Sequence, residues 1–194
     1  DFATGGATNW RLYSGTEKIS FIQLAGAPTK YVCQFASGAS LVAMFTHVNS
    51  YNMTGADKDG IVVNAGEQYS VSIDAFKSST LTTGTRIRVM AYFYKTDGTY
   101  NTAVTPITLT SSVTTAWATY AGSFTVPEGA VRCWLYVAMD SSPTAGNFYW
   151  TNLTCRPMIG DALIVDGGIR ARHIGANEVT ADKINVTNLE AVNA

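Results

Sequence analysis

From Ala130 to Met139 the chain alternates without a break. Val131, Cys133, Leu135, Val137 and Met139 fall on one parity; Arg132, Trp134, Tyr136, Ala138 and then Asp140 fall on the other. A helix would scatter each set around its axis, whereas a strand sends successive side chains to opposite faces. One face is thus apolar and suited to a core. The other carries Arg, Trp and Tyr in a row, which a merely solvated face does not need. That second face is the first place to look for function. Pro127-Glu128-Gly129 joins this run to an earlier strand-like one, Trp117–Val126.

Two more runs repeat the pattern. In Arg86–Lys95, Ile87, Val89, Ala91 and Phe93 share one face, and Arg86, Arg88, Met90, Tyr92 and Tyr94 the other. In Gln68–Phe76, Tyr69, Val71, Ile73 and Ala75 point inward, leaving Gln68, Ser70, Ser72, Asp74 and Phe76 outside. Provided these strands share a sheet, one face gathers Tyr92, Tyr94, Trp134, Tyr136, Arg88, Arg132, Asp74 and Ser72.

Further strands are expected over Lys18–Leu24, Lys30–Phe35, Leu41–His47, Gly60–Val63, Thr105–Leu109 and Gly146–Leu153, with the opening Asp1–Trp10 rich in turn residues. Gly, Pro, Asn, Asp and Ser punctuate them, each favoured in turns for backbone reasons. Asp97-Gly98 between two apolar runs predicts a hairpin. Nothing here sustains a helical period. Many short strands with regular turns predict an all-β, two-sheet jelly-roll β-sandwich.

Composition narrows the partners. Charged residues make up 14% of the 194, aromatics 11%, and the net charge is −1. That balance fits a globular all-β chain and gives no electrostatic reason to expect nucleic acid. No apolar run approaches the roughly 20 residues a membrane span needs, so no membrane insertion is expected. The start at Asp1 rather than Met points to a piece of a longer protein. Cys33, Cys133 and Cys155 are odd in number and lack a CxxC spacing, and the first two fall on inward positions, so three reduced thiols are expected.

The character changes after Met158. Aromatics vanish and a ten-residue repeat appears, aligning Ile169 with Val179 and Leu189, and Ala171 with Ala181 and Ala191. Ten is not the seven of a coiled coil. With so little apolar surface the stripe needs a partner, most simply copies of itself. The reading is a sandwich over 1–158 and an extended oligomerisation stem, a homotrimer, over 159–194.

The pieces DFATGGATNW, IVVNAGEQYSVS, TTAWATYAGSFTVPEGA and NFYWTNLTCRPMIG resemble the jelly-roll carbohydrate-binding modules of the four-and-nine type, in the version carried by phage tail proteins. GGIRARHIGANEVTADKINVTNLEAVNA resembles the repeats near the end of host-specificity (tip attachment) proteins of long-tailed phages. The resemblance implies a non-catalytic sugar binder on a trimeric fibre of the virion tail, meeting host polysaccharide or lipopolysaccharide beside other tail-tip proteins. In the family an acidic residue after the first Phe and an Asp in the closing strand help hold a structural calcium. Ala3 and Thr151 stand at those places here. No cofactor is therefore expected; a Ca²⁺ would have to rest on backbone carbonyls.

The expected ligand site is Trp134, Tyr136, Tyr92 and Tyr94 with Arg88, Arg132 and Asp74. Aromatic faces pack on sugar C–H groups, and the polar side chains fix hydroxyls at small entropic loss. The alternative is that this face is buried under a loop or against a sister subunit, leaving a structural spacer with no ligand. Trp10, Trp117 and Trp150 are expected as structural anchors, while Tyr51 and Tyr100, in polar loops, would extend a sugar site. Asp57-Lys58-Asp59-Gly60 lacks the downstream Glu of a calcium loop. His47 and His173 are isolated, and no carboxylate pair, nucleophile elbow or phosphate loop is legible, so no enzyme is expected.

Overall fold

The computed structural model divides the chain into two units, Asp1–Met158 and Ile159–Ala194. The residues it describes, 10–38, 41–46, 60–110, 112–140 and 145–158, all belong to the first. The expected stem, Tyr51, both histidines and Ala3 lie outside them.

Eleven strands run through these residues: β1 Trp10–Ser14, β2 Ile19–Ile22, β3 Val32–Ala36, β4 Val42–Thr46, β5 Ile61–Val62, β6 Gln68–Lys77, β7 Ile87–Tyr94, β8 Tyr100–Leu109, β9 Ala118–Thr125, β10 Arg132–Met139 and β11 Asn147–Pro157. They form a two-sheet antiparallel β-sandwich. The first sheet runs β1-β4-β10-β7-β8, with β5 also on β10; the second runs β2-β3-β11-β6-β9. β4 pairs with Tyr136–Met139, and β5 takes over the same edge at Arg132 and Cys133.

The inward parity read from the sequence is the core parity. Cys133, Leu135, Val137 and Met139 from β10 meet Val89, Ala91 and Phe93 from β7 and, across the sandwich, Val71, Ile73, Ala75, Phe35, Phe148 and Trp150. Trp150 is fully buried, with Trp10 edge-on at 5.1 Å and Phe35 at 5.9 Å. Each large side chain so enclosed contributes about 1.5–3 kcal/mol of transfer free energy. Two buried sulfurs also meet here, Cys33 Sγ donating to Met44 Sδ at 3.5 Å.

Asp97 and Gly98 form the expected β7–β8 hairpin turn, Gly98 at φ +80° and Lys95 N–H bonded to Thr99 O. The link from β9 to β10 is different in kind. Its strands belong to opposite sheets, so Pro127-Glu128-Gly129 crosses the end of the sandwich. Gly122 lets the sheets approach along one edge, since a Cβ there would stand 2.0 Å from the Pro106 carbonyl oxygen.

Two expectations about strands change. β6 sits in the sheet opposite β7 and β10, so the three alternating runs do not share one face. A strand over Trp10–Ser14, which the turn-rich opening concealed, forms the edge of the first sheet.

Candidate functional site

The β7–β10 register places Arg132 opposite Tyr94, Trp134 opposite Tyr92, Tyr136 opposite Met90 and Ala138 opposite Arg88. All eight lie on the outer face of the first sheet, away from the core. The sequence thus brings six of its seven site residues together. Asp74 is the exception, with Ser72: both face outward from the other sheet. There Asp74 accepts from Thr119 Oγ1 at 2.6 Å and Asn152 Nδ2 at 2.8 Å, while Ser72 pairs with Thr154 at 2.7 Å. Asn152, at φ +49°, occupies a bulge in β11 that turns its amide toward Asp74.

The rings on the first sheet form one connected chain. Tyr13 meets Tyr136 at 6.1 Å, Tyr136 meets Tyr92 at 5.4 Å, Tyr92 meets Tyr100 at 6.2 Å, Tyr100 meets Tyr94 at 5.9 Å, and Tyr94 meets Trp134 at 4.4 Å. Nearly all are edge-to-face, the arrangement aromatic quadrupoles favour. The expectation that Trp134 and Tyr136 stand open to solvent is corrected: they are 3% and 4% exposed, and Tyr94 is 4% exposed.

The physical reason is local. β5 pairs at Cys133, so the chain entering it passes over the neighbouring indole. A Cβ on Gly60 would lie 2.9 Å from Trp134 Cε2 and Nε1, and Gly60 takes φ +114°, which favours glycine. Tyr136 packs with Ala43, Ala138, Leu41, Met90 and Tyr92 in a small apolar cluster.

What stays accessible is the rim. Tyr13 is 41% and Tyr100 54% exposed, with Tyr92 half-buried between them. Tyr100, assigned to a polar loop by the sequence, begins β8. Tyr13 was missed because it follows the turn-rich opening; the pattern WRLYS was its only signal. Burial pushes the Tyr94 hydroxyl up to about 12 and raises those of Tyr92 and Tyr136 as well. A tyrosine hydroxyl is protonated at neutral pH even at its ordinary value of about 10, so these groups can both donate and accept.

Cations occupy both ends. Asp140 accepts from Arg86 Nε and, at 2.6 Å, from Arg88 Nη2, while Asp140 N–H bonds the Arg86 carbonyl. Arg88 is thus committed to an ion pair as well as to the face. Arg132, at the other end, is half-buried and makes no ion pair among the described residues.

A second aromatic group lies on the outer face of the opposite sheet. Phe76 stacks on Tyr149 at 4.6 Å and 10°, and Trp117 tilts against Phe76 at 4.7 Å. The stacked pair covers one face of each ring, and all three residues are half-buried. Among the described residues no group of acidic, His and Cys side chains could hold a metal ion, and Thr151 is buried with its hydroxyl 2.7 Å from that of Thr29.

The profile of a carbohydrate-binding domain family, of the 4/9 type, matches residues 36–145. No curated protein matches the chain in sequence. Among solved structures, the enzymatically active domain of tailspike protein 4 from bacteriophage CBA120 aligns with TM-score 0.58 and 14% identity over 81% of this chain. A family 16 carbohydrate-binding module aligns with TM-score 0.53 and 17% identity, over 78% of this chain and 96% of that one. The modules of Clostridium thermocellum endo-1,4-β-D-xylanase 10B complexed with xylohexaose align with TM-score 0.53 and 14% identity over 80% of this chain. At such identities the likeness is one of fold. This chain spans 20% of the tailspike chain and 27% of the xylanase chain.

Proposed function

The chain belongs to the carbohydrate-binding domain family of the 4/9 type, a non-catalytic sugar-binding module, and from that premise we propose that its site is the outer face of the β7–β10 sheet. In this reading it is a jelly-roll module on a trimeric phage tail-tip fibre, contacting host surface polysaccharide or lipopolysaccharide during adsorption. The observation that carries the site is a connected chain of rings with two exposed tyrosines, Tyr13 at one end and Tyr100 between Tyr92 and Tyr94. Sugar C–H groups would pack on those rings, and protonated tyrosine hydroxyls and Arg132 would meet sugar oxygens. Trp134 and Tyr136 serve beneath as a rigid base, which keeps the ordering cost of binding low.

The phage setting and trimeric stem are supported by the resemblance of the 159–194 repeat to tip attachment proteins and by its aliphatic phase. Three linked sites would raise a weak affinity by about 10²–10⁴ where geometry allows simultaneous contact. The test is retention of the full chain on immobilised bacterial surface polysaccharides. Retention that weakens in Tyr100→Ala supports the reading; no retention on any of them refutes it.

Burial of Trp134 and Tyr136 favours one second reading, a structural spacer without a ligand. Light scattering on the chain ending at Met158 distinguishes the two. A monomer fits the binder, whereas persistent trimer or aggregation fits the spacer.

A further inference from the structure

The outer face of the β7–β10 sheet is unbalanced in charge and in hydrogen-bonding capacity. Among the described residues it carries three guanidiniums, Arg86, Arg88 and Arg132, against one carboxylate, Asp140, which already accepts from the first two. Arg132 stands six residues along β10 from Ala138, the partner of Arg88, or about 20 Å at the rise of a strand. Cationic groups thus mark both ends of the aromatic stretch.

The imbalance extends to individual atoms. Among the described residues, Arg88 Nε and Trp134 Nε1 are buried donors with no acceptor. Both atoms are enclosed, so they add to the donor excess of the face without themselves reaching a ligand. The opposite sheet differs: its Asp74 is an acceptor already met by Thr119 and Asn152.

Resting on the binding face proposed above, we infer that its ligand is an acidic glycan, one whose sugars carry carboxylates, rather than a neutral one. A carboxylate is planar and accepts two parallel N–H bonds from a guanidinium, a match no sugar hydroxyl makes. Arg132, which makes no ion pair among the described residues, provides one fork, and the exposed edge of the Arg86–Asp140–Arg88 group provides a second cationic contact. The tyrosines between them hold the sugar rings. The chain as a whole has a net charge of −1, so attraction of an anionic polymer would be a property of this face and not of the molecule.

The experiment is a titration of the full chain with polygalacturonate, alginate, hyaluronan and polysialic acid, each beside its carboxyl-reduced neutral counterpart. Binding to at least one acid polymer is expected, weakened about tenfold or more by carboxyl reduction and about tenfold by Arg132→Gln. Added salt should weaken it too, because the contacts are partly exposed. Arg132→Gln should leave the thermal midpoint unchanged, which separates lost recognition from lost folding. Equal affinity for acid and reduced forms, or an Arg132→Gln chain that binds as before, overturns the inference and leaves the glycan-binding face standing. Failure to bind any polymer in either form overturns both.

Discussion

Tyr94 presents its ring edge-on to Trp134, with centroids 4.4 Å apart and planes at 80°. The pair joins β7 to β10 on the outer face of the first sheet, and both members are buried. Trp134→Ala therefore removes packing before it removes any ligand contact. A loss of about 3–5 kcal/mol in unfolding free energy is expected by denaturant titration. A loss below about 1 kcal/mol would mean that the indole is not enclosed.

Tyr100 and Tyr13 should behave in the opposite way. Each is exposed, Tyr13 at one end of the ring chain and Tyr100 between Tyr92 and Tyr94. Tyr100→Ala and Tyr13→Ala should shift stability by about 0.5 kcal/mol or less, as surface substitutions do. Glycan affinity should fall about tenfold in each, read by the same titration in both variants.

The sandwich was legible because its core parity is strict: Cys133, Leu135, Val137 and Met139 alternate, and all are buried. Which strands share a sheet was not legible, because alternation fixes faces within a strand and says nothing of its neighbours. Asp74 was misplaced for that reason. The enclosure of Trp134 is hidden for another reason: it depends on the backbone of Gly60, which leads into a strand of only two residues, Ile61–Val62. The strand at Tyr100 is not legible because Asn101, Thr102 and Thr105 dilute the start of β8, whose pairing with β7 nevertheless begins there.

Asp74 supplies a control. It lies on the opposite sheet, holding Thr119 and Asn152 across three strands. Asp74→Ala should cost about 1–2 kcal/mol in stability, from two hydrogen bonds to a carboxylate. Glycan affinity should be unaltered; a parallel fall in affinity would place the ligand on that sheet.

Alkaline titration tests the enclosure of the tyrosines. Burial raises the folded-state values of Tyr92, Tyr94 and Tyr136, Tyr94 to about 12, against about 10 in an unfolded chain. A raised value contributes stability in full below pH of about 10. That stability is lost as pH rises toward the folded-state value, because the unfolded chain ionises first. Tyrosinate absorbance should appear in two phases, exposed tyrosines first and the buried set with unfolding. A single phase near pH of about 10 would show that these rings are open to water.

Sugar contact with the face built by β7 and β10 underlies the other expectations. Its most direct test is an NMR titration of the full chain with a bound oligosaccharide. Shifts should concentrate at Tyr13, Tyr92, Tyr100 and Arg132. Shifts gathered instead at Trp117, Phe76 and Tyr149, with the first sheet silent, would place the sugar on the opposite sheet and overturn the assignment.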